Sequence, residues 1–414
     1  MQHEAGVEAS SIAPANAPVA APGPLPVVLV TDIRFWENTF GSHMRMQGLA
    51  RVLSALGPLK VFFLGSFHAA DLKAIKALNL PDAEFVSYKT WSGLKRRIKP
   101  VVGADPFFKG KSVDDFSSAL SAYLGKTPAR AVVLEYIRLA YLHDACPPGT
   151  QTILDMHDVM SERMVALARA GMTASIQIDA RAERRILQAF DCVLTISRYD
   201  DDHLKTAMGM NNALYLPYSI PTVAQAPRAG GGRRLFFLGA NSAPNVVGLR
   251  WFVDQVMPSL AGLGFTLDVV GTVCSSFEGR SDRAVQWHGQ RDDLERFLAV
   301  ADIAVNPVFV GGGLKIKCLD ALANGLPVVT TEEGAAGLDH GVGAGIFVAR
   351  GRQEFLSHIL HLANAPQERQ IIGVLARRFV EQEFSDAAAL RSLTAHFGAA
   401  QSEPPGVGVE GRVP

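Results

Sequence analysis

The chain has 414 residues, in which 40 Lys and Arg offset 40 Asp and Glu for a formal net charge of zero. That balance argues against a dedicated nucleic-acid binder, which carries a net basic domain, and 48% apolar against 19% charged residues excludes a largely disordered chain. The length suits two or three domains of roughly 150 residues, each with its own core. There is no run of about 18 apolar residues for a membrane-spanning helix, and the opening Met1-Gln2-His3-Glu4 lacks a secretory pattern. Cys146, Cys192, Cys274 and Cys318 stand apart, with no C-x-x-C and no metal spacing. The expected setting is the cytoplasm, with reduced thiols.

Residues 1–26 hold seven Ala and five Pro and read as a disordered leader. Strands are expected at Val27–Val30, Val61–Leu64, Ala131–Leu134, Thr152–Leu154 and Cys192–Thr195, each ending where a polar or small residue opens a loop. After the first comes the loop Phe40-Gly41-Ser42-His43 and a helix with Met46, Leu49, Val52 and Leu53 on one face. Between Trp91 and Lys111, six Lys or Arg face the one Asp105, with Trp91, Ile98, Phe107 and Phe108 interleaved. Such a patch is either a solvated face or a surface that adsorbs to anionic lipid, at about 1 kcal/mol per cation. The acidic run Asp200–Asp202 follows Ser197, a natural N-cap, and is expected in a first helical turn rather than on a metal.

A Pro/Gly/Ala-rich linker at 221–233 separates this half (27–220) from a second. There the pattern restarts, with strands at Arg234–Leu238, Leu267–Val270, Ile303–Val305 and Pro327–Thr330, a loop at Gly239–Asn245 and a helix over Val246–Leu260. Two strand–loop–helix series predict an α/β chain of two Rossmann-like lobes whose cleft lies at the carboxyl ends of both sheets. The second lobe is expected over 234–375, a crossover and last helix over 376–400, and a disordered tail over 401–414. Gly341-Val342-Gly343-Ala344-Gly345 follows no strand and opens no helix, so it is not a dinucleotide fingerprint.

The chemistry concentrates in two places. Gly311-Gly312-Gly313-Leu314-Lys315-Ile316-Lys317 offers bare backbone N–H groups, a helix start and two cations, a combination that suits a diphosphate. Asp320, on the following helix, can accept ribose hydroxyls. In the first lobe, Asp155-Met156-His157-Asp158 ends a strand, so His157 can reach a phosphate or sugar, with Asp155 and Asp158 to orient it. Three ligands packed into four residues rarely face one point, which counts against a metal. Glu135, at another strand end, either meets an acceptor hydroxyl or pairs with Arg138.

Together these segments resemble glycosyltransferase family 4 of the GT-B fold. The resemblance runs through Phe236–Gly239, Pro244–Phe252, Val269–Gly271, His288-Gly289, Ala301–Pro307, the glycine–lysine segment and Thr330–Leu338. In the first lobe it is carried by Gly41-Ser42, Arg45, Leu134–Tyr136, Asp155–Asp158 and Thr195–Ser197. It implies retaining transfer of a sugar from a nucleotide-diphosphate donor to a glycan or lipid-linked acceptor, with no tightly bound metal or cofactor and no nucleic acid. His157, Lys315 and Lys317 are then the candidate catalytic groups. Gly41, Gly239, Asn245, Gly311, Gly312, Gly313, Leu314 and Asp320 hold the donor, and Glu135, Arg45 and Asp158 lie on the acceptor side. If the basic stretch 91–111 is a lipid-adsorbing surface rather than a solvated face, it places the chain at the inner face of a membrane. Asp320 matches the second acid of the family's E-x7-E pattern, but the first falls at Gly312. That departure keeps open a non-catalytic nucleotide-sugar binder, and a sugar-nucleotide epimerase is a further alternative.

Overall fold

The computed structural model describes residues 24–37, 41–80, 82–88, 106–108, 114–221 and 231–402. Most of the expected leader, the core of the linker, the tail beyond residue 402 and nearly all of the basic stretch lie outside the described residues. Of that stretch, Phe108 is buried in the first lobe's core beside Tyr141, so its ring is unavailable to a lipid surface.

Thirteen strands form two wholly parallel sheets among the described residues. In the first lobe these are β1 (Val27–Thr31), β2 (Leu59–Phe63), β3 (Ala83–Ser87), β4 (Ala131–Glu135), β5 (Gln151–Asp155), β6 (Cys192–Thr195) and β7 (Ala213–Tyr215), ordered 3-2-1-4-5-6-7. The second lobe has β8 (Arg234–Leu238), β9 (Thr266–Val270), β10 (Val285–Gly289), β11 (Ile303–Asn306), β12 (Val328–Thr330) and β13 (Ile346–Val348), ordered 10-9-8-11-12-13. Both are doubly wound, and strand order reverses between β1 and β4 and between β8 and β11, the places where such sheets bind ligands. Every residue of β1 and β4 is buried because helices cover both faces of the sheet.

The helix expected from Val246 starts earlier, at Ala243, because Ser242 occupies the cap and Pro244 pre-sets the first turn. It runs to Trp251, continues as a π-helical turn over Phe252–Val256 and ends at Ala261. The boundary expected after residue 375 falls inside the helix Pro366–Glu383. That helix buries Ala376, Phe379 and Val380 in the second lobe's core, so the chain leaves that lobe only at Phe384. The last helix, Asp386–Ser402, places Ala389, Leu393 and Phe397 in the first lobe's core, and Asp386 holds Arg51 at 2.9 Å. Among the described residues no helix is long and apolar enough to cross a membrane, and all four cysteines are free.

Candidate functional site

In the first lobe the site is built on the adjacent ends of β4 and β5, where Glu135 and Asp155 stand side by side in register. Just past them Tyr136 and His157 both take left-handed backbone, at φ 67° and 65°. For residues other than glycine this costs about 1–3 kcal/mol each and is retained where the surroundings impose it. Here the two rings stack at 3.9 Å and 11°, and the Arg138 guanidinium lies 4.5 Å from the Tyr136 centroid. Burial pushes the Tyr136 phenol up to about 12, and Ser42 hydrogen-bonds it.

His157 Nε2 lies 2.9 Å from Glu135 Oε2 and 3.4 Å from Asp155 Oδ2. Where Glu135 is ionised its carboxylate only accepts, and Nε2 is then the donor. Glu135 is 0% exposed, and burial followed by the Asp155 charge raises its pKa. Asp155 is clasped by Arg45 through Nε at 3.1 Å and Nη2 at 2.9 Å, while Nη1 donates to the carbonyls of Leu216 and Pro217.

These contacts correct three acceptor-side expectations. Glu135 pairs with His157 rather than Arg138, whose partner is Asp32. Arg45 is only 1% exposed, so it positions Asp155 and cannot reach a substrate. Asp158 pairs with Arg163, not His157. Glu135, Asp155 and His157 are also the one set among the described residues with ligand atoms close enough for a metal, all within 4.8 Å. The donor set does not fit one, because both Asp155 oxygens already serve Arg45, a fixed positive charge beside any incoming cation.

In the second lobe the glycine loop follows β11 and leads into the helix Ile316–Ala323. Gly313 has φ +65°, and a Cβ there would lie 1.7 Å from Asp158 Oδ1 across the cleft. A Cβ on Gly312 would meet Arg163 Cβ at 3.3 Å, and one on Gly41 would meet Ile316 Cδ1 at 2.7 Å. The glycines therefore let the two lobes approach backbone to side chain. The Leu314 side chain is buried in the core, which leaves only its backbone to the cleft.

Lys315 does not extend into the cleft. Its Nζ donates to the Gly313 carbonyl at 2.9 Å, to that of Gly312 at 3.4 Å and to Glu333 Oε1 at 2.9 Å. Lys317 donates to Asn245 Oδ1 at 2.7 Å and sits 4.7 Å from the Phe237 centroid. Burial, aided by the Lys315 charge, pulls its pKa down to about 7. Asp320 has no side-chain hydrogen bond among the described residues, and burial raises it to about 7. Both groups are enclosed yet still touched by solvent. Gly239 lies against its own strand's Phe237 ring.

Of the acidic run, Asp200 donates its backbone N–H to the Ser197 cap at 3.0 Å and lies in the first turn of the helix Arg198–Thr206. Sequence reasoning gave no separate role to the Tyr136–His157 stack, the Phe237 floor or Glu333. Ring stacking and the Phe237 contact depend on loop geometry, and Glu333 is 18 residues from the lysine it meets.

A cavity of about 600 Å³ opens at the ends of β9 and β10, lined by Gly271, Thr272, Cys274, Trp287 and Gly289. A second, of about 700 Å³, lies at the lobe junction near Arg198, His340 and Arg378, away from the glycine loop.

Residues 232–365 match the family model for glycosyl transferases group 1. Over 227 residues the chain is 24% identical to an uncharacterized 44.6 kDa protein in the cps region of Klebsiella pneumoniae. That match covers 51% of this chain and 57% of the relative, so the chain spans little more than half the curated relative's length. Sucrose-phosphate synthase from Thermosynechococcus elongatus superposes with a TM-score of 0.67 at 15% identity, covering 92% of this chain and 100% of that one. A variant of S. aureus TarM in complex with Fondaparinux, alpha-GlcNAc-glycerol and UDP gives 0.68 at 11%, covering 90% and 99%. Anabaena HepE in complex with UDP-glucose gives 0.63 at 12%, covering 91% and 100%. At these identities the structural likeness is one of fold.

Proposed function

We propose that this chain, whose C-terminal lobe is a glycosyl transferases group 1 domain and whose two lobes form the GT-B fold, is a retaining glycosyltransferase. It moves a sugar from a nucleotide-diphosphate donor to an acceptor hydroxyl in glycan or polysaccharide assembly. The observation that carries the reading is the bare Gly311–Gly313 loop, leading into the helix that bears Lys317 and Asp320 and closed upon by the first lobe's His157 loop. HepE with UDP-glucose and the relative from a cps region support the donor class and the setting.

The diphosphate meets the loop's N–H groups, Lys317 and the helix's positive end. Near neutral pH Lys317 is poised between its two forms, and an arriving dianion draws it to the ammonium. Asp320 takes the ribose hydroxyls, and the cavity beyond Gly271 takes the base. As the bond from C1 to the phosphate oxygen breaks, charge grows on the leaving diphosphate, where fixed dipoles and cations stabilise it. His157, locked by Glu135 and Tyr136, faces the sugar from the other lobe. The acceptor oxygen bonds to C1 and its proton passes to the leaving phosphate on the same face. Glu135 and Asp155 are both fully buried and engaged, which supports a reaction without a carboxylate nucleophile.

The test is transfer from UDP-glucose, GDP-mannose or ADP-glucose to a panel of glycan acceptors, with the anomeric configuration of the product read by proton NMR. A product of the donor's own configuration is expected. Inversion would refute retention. Donor binding without any product would favour the non-catalytic reading that Gly312 keeps open.

A further inference from the structure

We infer that Glu333 accepts hydroxyl groups of the donor sugar, and so distinguishes a nucleotide sugar from the bare nucleoside diphosphate. The inference rests on the donor reading above and assigns a group that reading left without a role.

Local structure fixes where Glu333 points. After β12, Thr331 caps the short helix Glu332–Ala335, accepting from Gly334 N–H at 2.9 Å, while its hydroxyl donates to the Val308 carbonyl in the loop after β11. Gly334 leaves no room for a side chain, since a Cβ there would lie 2.0 Å from Thr330 Oγ1 and 2.8 Å from Asn306 Nδ2. The helix start is thereby pressed against the base of the glycine loop. Glu332 turns outward to Arg350 at 3.0 Å, and Glu333 turns inward. Its Oε1 meets Lys315 Nζ at 2.9 Å and lies 3.3 Å from where a Cβ on Gly311 would stand. Oε2 has no hydrogen bond among the described residues, and the side chain is 29% exposed against 10% for Lys315.

A carboxylate beside a diphosphate site is unfavourable unless it is neutralised and used. Lys315 supplies the neutralising charge, which leaves a charged acceptor free on the cleft side. A sugar offers that acceptor hydroxyl donors, and a bare diphosphate offers none. A side chain at position 312 would press on Arg163, whose Cβ would lie 3.3 Å from a Cβ there. Glu333 instead brings a carboxylate to the same loop from another element, through the gap left by the missing side chain at Gly311.

The experiment is calorimetric titration of the wild-type protein, Glu333→Gln, Glu333→Asp and Lys315→Met with UDP, GDP and ADP and with UDP-glucose, GDP-mannose and ADP-glucose. For the pair the wild type binds, Glu333→Gln is expected to lower nucleotide-sugar affinity by about 10- to 100-fold, the size of a lost hydrogen bond to a charged group. Its affinity for the matching diphosphate should stay within about twofold, and Glu333→Asp should recover part of the loss. Lys315→Met should weaken both ligands. Equal weakening of both ligands by Glu333→Gln would overturn the inference, showing that the carboxylate acts only through Lys315. Unchanged affinity for both would overturn it as well. A wild type that binds none of the six compounds would overturn the donor reading itself, and this inference with it.

Discussion

The two halves of the cleft treat charge in opposite ways. In the first lobe Arg45, Asp155, Glu135 and His157 are buried and partnered to one another, on backbone held in a costly conformation. In the second, Lys317 and Asp320 are enclosed with too little to answer their charge, and both have pKa values driven towards neutrality. One side is a fully partnered structure around an imidazole, and the other carries charge that, on the proposed reading, a bound donor answers. Removing charge should therefore have opposite consequences on the two sides.

Breaking the fully partnered side gives the largest effect. Arg45→Met leaves Asp155 buried without its counter-charge and should cost about 3–5 kcal/mol of stability in urea denaturation. A loss below 1 kcal/mol would show that the clasp is not what holds this end of the sheet. His157→Ala removes the group proposed to face the reacting sugar and should lower turnover by about 10²–10³-fold. Glu135→Gln keeps the shape of the pair and should lower turnover less, with an altered pH profile. Equal losses for the two variants would assign the effect to packing.

On the other side the same kind of change should stabilise. Lys317 has an unfolded value of 10.5 and a folded value of about 7, so its burial penalty grows as pH falls from 10.5 to about 7 and is constant below that. Lys317→Met should therefore raise the melting temperature of the ligand-free protein most at pH 7 and below, and the gain should shrink as pH rises towards 10. Asp320 is the mirror case, with 3.8 raised to about 7. Its penalty grows as pH rises through that window, and Asp320→Asn should stabilise most above pH 7. Each variant should bind nucleoside diphosphate more weakly, by about tenfold for a lost charged contact. Stabilisation without weaker binding would place the residue outside the site, and destabilisation would erase the contrast between the lobes.

The same contrast separates what the sequence revealed from what it did not. Central strands such as β1 and β4 read as apolar runs up to their last residue because both faces of the sheet are covered. The expectations missed β3, β7, β10 and β13, the four edge strands, none of them wholly buried, as in Val285–Gly289, where only Val285 is buried. The glycine–lysine loop was legible because its chemistry is local, a few consecutive residues whose backbone and charge suit a diphosphate. The partners of Glu135, Arg45 and Lys315 were not, since each lies 18 or more residues away and is brought in by strand register or by a loop from another strand. Glu135 and Arg45 are ordinary polar residues by type, and only their complete burial shows that they hold other groups in place.

The most direct test of the central claim is phosphorus NMR of the purified protein with UDP-glucose, GDP-mannose and ADP-glucose, each with and without an acceptor glycan. The account predicts release of nucleoside diphosphate from one of the three, faster with acceptor present and largely abolished in His157→Ala. Unchanged spectra for all three donors, together with no calorimetric binding, would contradict it.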